Sequence, residues 1–264
     1  MNEQKKERIT MIIELLLMLL WFIAFVVGLF GAETIPAKLN NVVVQLEKQG
    51  FSRQEILKVF TDPRLTIYAD IPHLKAKKVD YFSKAYALFS PSSIARGREF
   101  LEANKAILER AEKEYRVRKE VIVAILRLET NFGNFLGTRP LINTFYSMLM
   151  LNFHSDFAEK ELINLFLLAR QNREDIFHFH GSFMGAFGLC QFVPSSCLQY
   201  GVDADGDGKL NLNSLEDAIF SVARYLRSHG WTNSDFYRQY EAIYAYNHES
   251  LYVLAVIIYS NFLL

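Results

Sequence analysis

The segment from Val121 to Thr130 places one carboxylate at the end of an apolar helix face. Residues spaced three and four apart share a face of a helix, and here they are Ile122, Ile125, Leu126 and Glu129. Burial disfavours the charged form of a carboxyl group and raises its pKa. A glutamate that keeps its proton near neutral pH can protonate a glycosidic oxygen as a general acid. The alternative is structural, with Glu129 paired to an arginine or solvated at the helix end.

The run Asn131-Phe132-Gly133 follows at once and predicts that the helix ends there. Glu129 would then open onto a cleft. Ordinary glycosidases use two carboxylates. The other acidic residues considered for the second role fall in polar helical or loop surroundings, and they are Glu159, Glu161 and Asp175. The sequence therefore offers a lone catalytic candidate.

A second acidic group lies in a loop that matches most of an EF-hand. Asp203, Asp205 and Asp207 occupy its first, third and fifth positions, and a glycine and the Lys209 carbonyl follow in register. The twelfth position, normally a bidentate glutamate, is a serine, and further acids arrive two and three residues late. The interpretations are a structural calcium site and a solvated turn. A calcium sensor is disfavoured because there is one such loop.

Other potential metal or redox residues are less persuasive. His178 and His180 have no cysteine or carboxylate cluster at ligand spacing, which favours loop or helix-end histidines. A disulfide between Cys190 and Cys197 would need a turn, for example at Pro194, because an intervening helix would hold the two residues too far apart. Two free, packed thiols are the favoured interpretation.

The amino terminus contains a candidate membrane anchor. The stretch from Met11 to Ala32 has Glu14 as its one charged residue and, at about 1.5 Å per residue, is long enough to cross a hydrocarbon core of about 30 Å. A cleaved signal peptide is the alternative, although Phe30 does not fit the small-residue pattern before a cleavage site. Basic residues before the stretch predict that everything after Glu33 is translocated.

Composition narrows the class of protein. The chain has 264 residues, 51% of them hydrophobic, which is enough for a sizeable core. Its 29 basic and 29 acidic side chains cancel, so nothing global indicates a nucleic-acid partner. Protein partners are not indicated either.

Helical spacing dominates the rest of the sequence, and no alternating strand pattern stands out. A short linker is predicted over residues 34–40. The predicted helices are two over 41–60 with a break at Gly50, then 75–89, 98–115, 119–129, two over 140–171, 215–229 and two over 236–264. Residues 181–201 are rich in Gly, Ser and Pro and predict loop with short helix. The fold class is mainly α, arranged around a cleft.

Four segments in order resemble the lytic murein transglycosylases of the B type. They are Ala124-Ile-Leu-Arg-Leu-Glu-Thr-Asn-Phe-Gly133, then Gly181-Ser-Phe-Met-Gly-Ala-Phe-Gly188 with Gln191-Phe-Val-Pro-Ser-Ser196, then Asp217-Ala-Ile-Phe-Ser-Val-Ala-Arg-Tyr225 with His229-Gly-Trp231, and Ala245-Tyr-Asn-His248 with Tyr252. Each segment alone is a weak signal, but the four in order with suitable spacing are a strong one.

This resemblance implies a fold and a set of roles. The fold would be a lysozyme-like transglycosylase core with an EF-hand-like loop, preceded by a transmembrane helix. Glu129 matches the catalytic acid. Residues that match positions lining the glycan cleft are Ser182, Gln191, Tyr225, Tyr246, Asn247 and Tyr252. Structural alternatives stay open, since Ser182 could cap a helix and Tyr225 and Tyr252 could be core residues. The resemblance also implies that Asp217 closes a lengthened calcium loop.

The implied reaction cleaves the β-1,4 bond between N-acetylmuramic acid and N-acetylglucosamine and leaves 1,6-anhydromuramic acid ends, with Glu129 as acid and then base. No cofactor is implied for the chemistry. The implied domains are an anchor over 1–32 and a catalytic domain over 33–264, with a helical subdomain at about 40–115 and a core at about 116–264. The implied location is the periplasmic face of a bacterial membrane. Alternatives are a lysozyme-type hydrolase and a catalytically silent, membrane-tethered peptidoglycan-binding protein.

Overall fold

The computed structural model describes residues 35–74 and 79–264, together with Met11 and Met18. Within these ranges the chain consists mainly of α-helices, which are joined by turns and by several longer loops. The helices are α1 (Asn40–Lys48), α2 (Arg53–Phe60), α3 (Pro91–Ala103), α4 (Lys105–Tyr115), α5 (Lys119–Thr130), α6 (Leu141–Met150), α7 (Ser155–Asn172), α8 (Pro194–Tyr200), α9 (Leu215–Ser228), α10 (Phe236–Tyr246) and α11 (Ser250–Phe262). Single 3-10 turns are formed by Ala37–Leu39, Ile71–His73 and Ile176–His178.

Several helix ends follow directly from local sequence. Ser52 caps α2 in a reciprocal capping box, because its side chain accepts from the Glu55 N–H while the Glu55 carboxylate accepts from the Ser52 N–H. Ser90 caps α3 by a single bond, in which its side chain accepts from the Ser93 N–H, and Pro91 supplies the first helical residue. These caps explain why the helices start where they do.

Helix α5 is the centre of the core. From Glu120 to Leu128 every residue is buried, and the helix packs against α3, α4, α9 and α11. The face that was predicted from spacing is fully covered, since Ile122, Ile125 and Leu126 have no exposed surface. An apolar helix surrounded by other helices is the expected place for a carboxyl group with a raised pKa.

A second group of helices flanks this centre. Helices α6 and α7 pack against each other, and α7 also contacts α1 and α8. A two-residue strand β1 (Arg139–Pro140) pairs antiparallel with β2 (His180–Gly181), and the Leu141 N–H donates to the Phe179 carbonyl. This small pair ties the start of α6 to the segment that precedes Ser182.

The predicted mainly α fold is confirmed, including the break at Gly50 and the helices near 119–129, 140–171, 215–229 and 236–264. The single helix predicted over 98–115 is wrong, because α3 ends at Ala103 and α4 begins at Lys105, with Asn104 between them. The predicted linker over 34–40 contains a 3-10 turn and the first residue of α1.

The helix predicted over 75–89 is also wrong for its described part. Residues 79–89 form turns, in which Ala87 has a positive φ of 53° and the Ser83 side chain bonds the Asp80 carbonyl and the Tyr86 N–H. Serine and aspartate compete with helix formation through such local bonds. These turns bring aromatic side chains against the carboxylate of α5.

In the part of the chain that the structure describes, no helix is both long and apolar enough to cross a membrane. The predicted anchor over 11–32 lies, apart from Met11 and Met18, outside the described residues. Cys190 and Cys197 are free and buried, as predicted.

Candidate active site

Glu129 lies on the last turn of α5 and meets a tyrosine from α11. The Tyr252 hydroxyl donates a 2.6 Å hydrogen bond to Oε1 of Glu129. Tyr252 is only 2% exposed, and Glu129 is partly buried. The two residues are far apart in sequence, so this contact depends on the packing of α11 against α5.

Burial controls the protonation of this pair. It raises the pKa of Glu129 to about 7, and the hydrogen bond from Tyr252 lowers that pKa by a smaller amount. Burial also raises the pKa of Tyr252, and the charge of Glu129 raises it further. The phenol therefore stays protonated, and near neutral pH Glu129 is divided between its protonated and its charged form.

Two further tyrosines surround this pair, and sequence reasoning missed both. Tyr81 is 6% exposed and meets the Tyr252 ring edge to face, with 5.9 Å between the ring centroids. Tyr86 meets Tyr81 in the same way at 5.6 Å. Both residues lie in the turns that were predicted to be a helix. Because turns have no regular spacing, the sequence pattern could not indicate that these two side chains lie near Tyr252.

Glu249 is a second carboxylate close to this aromatic group. Burial raises the pKa of Tyr81, and the charges of Glu249 and then Glu129 raise it further. Glu249 precedes α11 and is partly exposed. Sequence reasoning did not consider it, because its polar neighbours gave no reason to place it near Glu129.

The end of α5 is shaped by three residues with left-handed backbone conformations. Asn131, Phe132 and Gly133 have φ values of 49°, 61° and 91°. The Thr130 hydroxyl accepts from the Gly133 N–H at 3.0 Å and donates to the Leu189 carbonyl at 3.0 Å. The residue after the acid thus fixes a second loop beside the site.

That loop, residues 188–192, is held at a second point from α10. The Tyr246 hydroxyl donates a 2.5 Å hydrogen bond to the Cys190 carbonyl. Gln191 has a left-handed φ of 50°, a conformation that costs about 1 kcal/mol or more for a side chain with a Cβ. We call residues 188–192 the glutamine loop. Its conformation is maintained by bonds from both sides of the site.

The Gln191 amide is oriented by the backbone. Its Nε2 donates to the Gly188 carbonyl at 2.9 Å and to the Leu136 carbonyl at 3.4 Å. Within the described ranges its Oε1 accepts no hydrogen bond, so this oxygen is available to a donor such as an acetamido N–H or a sugar hydroxyl.

The other predicted cleft tyrosines form an aromatic wall. The Tyr225 hydroxyl donates to the Ala245 carbonyl at 2.7 Å, and burial raises the pKa of Tyr225 to about 12. The Tyr225 and Tyr246 rings lie 4.9 Å apart, and Phe192 contacts them at 5.4 and 5.6 Å. Because both hydroxyls donate to backbone carbonyls, Tyr225 and Tyr246 contact neighbouring groups mainly through the faces and edges of their rings.

Ser182 lies in a tight turn after β2. Its Oγ accepts from the Ala186 N–H at 3.1 Å, and its carbonyl accepts from the Gly185 N–H at 3.0 Å. A Cβ on Gly185 would come within 2.2 Å of the Phe145 ring, so only glycine fits this turn. The Ser182 hydroxyl proton is not used in these bonds.

Asn247 follows α10 directly, as the C-cap residue after Tyr246, and has an extended φ of −141°. Its carbonyl accepts from the Glu249 N–H at 2.7 Å. Asn247 is therefore at the junction between α10 and α11, which bear the site tyrosines.

The acidic loop brings together three of its predicted metal ligands. Carboxylate oxygens of Asp203, Asp205 and Asp217 lie within 4.8 Å of one another. Asp217 is completely buried and accepts from the Ala204 and Asn211 N–H groups, both at 2.9 Å. The predicted ligand Asp207 is not part of this group, and its side chain accepts from the Lys209 N–H.

One prediction about acidic residues is wrong. Glu161 is completely buried, although its sequence neighbours predicted polar surroundings. Its Oε2 accepts from the Ser195 N–H at 2.8 Å and its Oε1 from the Ser195 hydroxyl at 2.7 Å. The partner is far away in sequence, so the pattern around Glu161 gave no signal for it.

A cavity of about 620 Å³ lies elsewhere, between α2 and the end of α7. None of its lining residues is a predicted site residue. Several of its charges pair with each other, as Arg64 does with Asp62 at 2.8 Å and with Asp175 at 2.6 Å. The cavity is therefore separate from the Glu129 group.

Comparison with known proteins identifies relatives. A family model described as "Transglycosylase SLT domain" matches residues 35–237. The membrane-bound lytic murein transglycosylase B of Escherichia coli (strain K12) is 37% identical over 148 residues, which cover 55% of this chain and 41% of that protein. The chain thus matches less than half the length of that curated relative.

Solved structures share the fold. Soluble lytic transglycosylase SltB1 from Pseudomonas aeruginosa matches with a TM-score of 0.78 and 27% identity, covering 86% of this chain and 98% of that one. The Escherichia coli lytic transglycosylase Slt35 in complex with calcium matches with a TM-score of 0.77 and 23% identity, covering 86% and 92%. At that identity the second likeness shows the fold alone.

Proposed function

This chain belongs to the transglycosylase SLT domain family, and we propose on that premise that it is a peptidoglycan lytic transglycosylase with Glu129 as its catalytic acid and base. The observation that carries the proposal is the burial of Glu129 beside Tyr252, which raises the pKa of this carboxyl group to about 7. The names of the relatives, lytic transglycosylases of cell-wall murein, support the substrate class.

The first step is protonation of the leaving oxygen. Glu129 donates its proton to the β-1,4 glycosidic oxygen, and the bond from that oxygen to C1 of N-acetylmuramic acid breaks. The carbonyl oxygen of the sugar's own acetamido group supports the positive charge at C1. Tyr252 keeps its hydrogen bond to Oε1, which leaves the other carboxyl oxygen of Glu129 free to face the substrate.

The second step returns the proton to Glu129. Its carboxylate accepts the proton of the sugar's C6 hydroxyl, and the C6 oxygen forms a bond to C1. This closes a 1,6-anhydro ring. The attack is intramolecular, so it gains the effective concentration of a group already in place. No water is consumed, which is why a single carboxylate is sufficient.

The glycan-binding roles are part of the same proposal. The free Oε1 of Gln191 would accept from an acetamido N–H or a sugar hydroxyl, and the Ser182 hydroxyl and the Asn247 amide would bond further polar groups. Tyr225 and Tyr246 would contribute ring surface to the wall of the cleft. Tyr252 would contact the sugar with its ring while its hydroxyl keeps the hydrogen bond to Glu129.

Product analysis tests the reaction class. Purified peptidoglycan is digested with the residue 33–264 fragment, and the released muropeptides are identified by mass spectrometry. We expect anhydromuramyl ends, one water lighter than hydrolytic products. Predominantly reducing ends would assign the protein to the lysozyme class of hydrolases, for which Glu249 is the nearby second carboxylate. Binding without cleavage would indicate a silent glycan-binding protein.

We also propose a structural calcium ion in the acidic loop. Hard oxygen ligands suit calcium, and the Asp203, Asp205 and Asp217 carboxylates are close enough to share one ion. An EF-hand-like loop closed by Asp217 would tie the ion to α9, which bears Tyr225. The calcium complex of Slt35 is consistent with this role.

The location proposed is the bacterial cell envelope, with the catalytic domain over 33–264 in the periplasm and an anchor over 1–32. The name of the Escherichia coli relative, a membrane-bound enzyme, supports an envelope location. Fractionation tests it. We expect the full-length chain in membranes, with its catalytic part accessible only from the extracytoplasmic side. A soluble product that begins near Glu33 would instead identify a cleaved signal segment.

A further inference from the structure

Glu161 is a buried carboxylate that has no part in the proposed chemistry. It lies on α7, is 0% exposed, and directs both oxygens at Ser195. The ammonium group of Lys160 is 3.6 Å from Oε1, on a side chain that is 65% exposed. Burying a carboxylate costs several kcal/mol unless hydrogen bonds and charge partners offset it. A carboxylate held in this way fixes its partner firmly.

Ser195 is the second residue of α8 and thus one of the positions whose N–H lacks a partner inside the helix. Pro194, the first residue, has no N–H to donate. Val193 precedes the helix and makes no side-chain cap. Glu161 therefore supplies from α7 the cap that the local sequence of α8 does not.

The glutamine loop ends only a few residues before this cap. Phe192, its last residue, packs on Tyr225 and Tyr246, and Val193 and Pro194 lead directly into Ser195. The opposite end of the loop is held by the bonds to the Leu189 and Cys190 carbonyls. The left-handed conformation of Gln191 carries a backbone cost, so it persists only where the contacts around the segment fix it at both ends.

We propose that Glu161 is a positioning residue for the glycan cleft, which acts by fixing Ser195 and thereby the place of Gln191 and Phe192. This inference rests on the proposed function. It predicts an effect on substrate binding and none on the proton of Glu129, because Glu161 contacts neither Glu129 nor Tyr252.

The test uses two neighbouring serines. Ser195→Ala removes the hydroxyl bond to Glu161 and keeps the backbone bond, while Ser196→Ala is the matched control, since the Ser196 hydroxyl has no hydrogen bond among the described residues. KM and kcat are measured on soluble glycan strands, with circular dichroism to establish folding. We expect KM of Ser195→Ala to rise by about two- to five-fold, with the net worth of one hydrogen bond as the upper limit, because a less firmly held Ser195 lets Gln191 leave its binding position. We expect kcat and its pH profile to be unchanged.

A merely structural role would lower the active fraction, and so the measured kcat, without raising KM. Equal KM values for the folded Ser195→Ala and Ser196→Ala variants would overturn the inference, and so would a change confined to kcat. Glu161→Gln is a second variant, in which one oxygen becomes an NH₂ group facing a donor of Ser195, and its KM should rise more. A wild-type protein that releases no anhydro product would contradict the proposed function itself, which distinguishes that outcome from a failure of the inference about Glu161.

Discussion

The Tyr252 hydroxyl donates a 2.6 Å hydrogen bond to Glu129, and this bond opposes the effect of burial on the acid. Burial favours the neutral carboxyl group, and the phenol favours the carboxylate. An acid that must also act as a base needs both protonation states to be accessible near the working pH. The pair provides that balance.

The first prediction concerns the acid itself. Glu129→Gln keeps the shape and can still accept from Tyr252, but its amide can neither donate a proton to the leaving oxygen nor take one back. We expect a folded protein that has lost at least about a hundred-fold in activity. Muropeptide release is the measurement. Glu249→Gln is the matched control and should still yield anhydro ends, whereas substantial activity in Glu129→Gln would assign the acid to another group.

The second prediction concerns Tyr252→Phe. Removing the hydroxyl removes the bond that lowers the pKa of Glu129, so this pKa should rise. The activity that depends on protonated Glu129 should then persist to higher pH, and the descending limb of the kcat profile should shift upward. Tyr259→Phe is the control, since Tyr259 lies on the same helix α11 but its hydroxyl donates to the Ser93 carbonyl of α3. Coincident limbs for the two variants would contradict the role of Tyr252.

The third prediction concerns stability. The pKa of Glu129 is about 7 in the folded state, against an ordinary value of 4.5. Between pH 4.5 and pH 7 the Glu129 carboxyl group is therefore protonated to a greater extent in the folded than in the unfolded protein. The wild-type free energy of unfolding should therefore contain a contribution that is lost as the pH rises from 4.5 to about 7. Its upper bound is about 3 kcal/mol. Glu129→Gln has no such loss, so it should gain stability relative to wild type across this interval.

Urea unfolding of both proteins at pH 5 and pH 8 gives that difference. Glu99→Gln removes an exposed carboxylate from α3 and supplies the baseline for the loss of one negative charge. A difference between Glu129→Gln and wild type that does not depend on pH would show that Glu129 is not held neutral by burial.

The fourth prediction concerns calcium. An ion that binds only the folded loop stabilises it by about 2.7 kcal/mol at a hundred times its Kd. For a domain of this size we expect the melting midpoint to rise by about 2–4 °C for each kcal/mol. Asp205→Asn should abolish this rise and Asp207→Asn should largely keep it, because Asp205 belongs to the carboxylate group and Asp207 does not. Identical midpoints with millimolar calcium and with chelator would leave the loop as a turn.

Sequence reasoning worked where periodicity and burial act over a few turns of helix. The spacing of Ile122, Ile125 and Leu126 identified α5 and the unusual setting of Glu129, because a helix face is a local property. It was wrong at Asn104, where the amphipathic pattern continues across a break between two helices. Hydrophobic periodicity indicates which residues face the core, but it does not indicate where one helix ends and the chain turns into the next.

The parts of the site that were missed depend on contacts between distant segments. Tyr81 reaches Tyr252 from turns whose Asp80 and Ser83 side chains bond the backbone locally. The environment of Glu161 depends on Ser195 of another helix. Neither partner can be inferred from neighbouring residues, because tertiary packing alone brings them together.

The way in which the glutamine loop is held has a consequence for its tolerance to mutation. Its two anchoring acceptors are main-chain carbonyls, at Leu189 and Cys190, which every amino acid possesses, whereas the donors are the hydroxyls of Thr130 and Tyr246. In a saturation library, positions 189 and 190 should therefore accept other side chains as far as their volume allows. Positions 130 and 246 should accept only residues that restore a hydroxyl at the same place. The side chains that hold these two carbonyls therefore lie outside the loop, at positions 130 and 246.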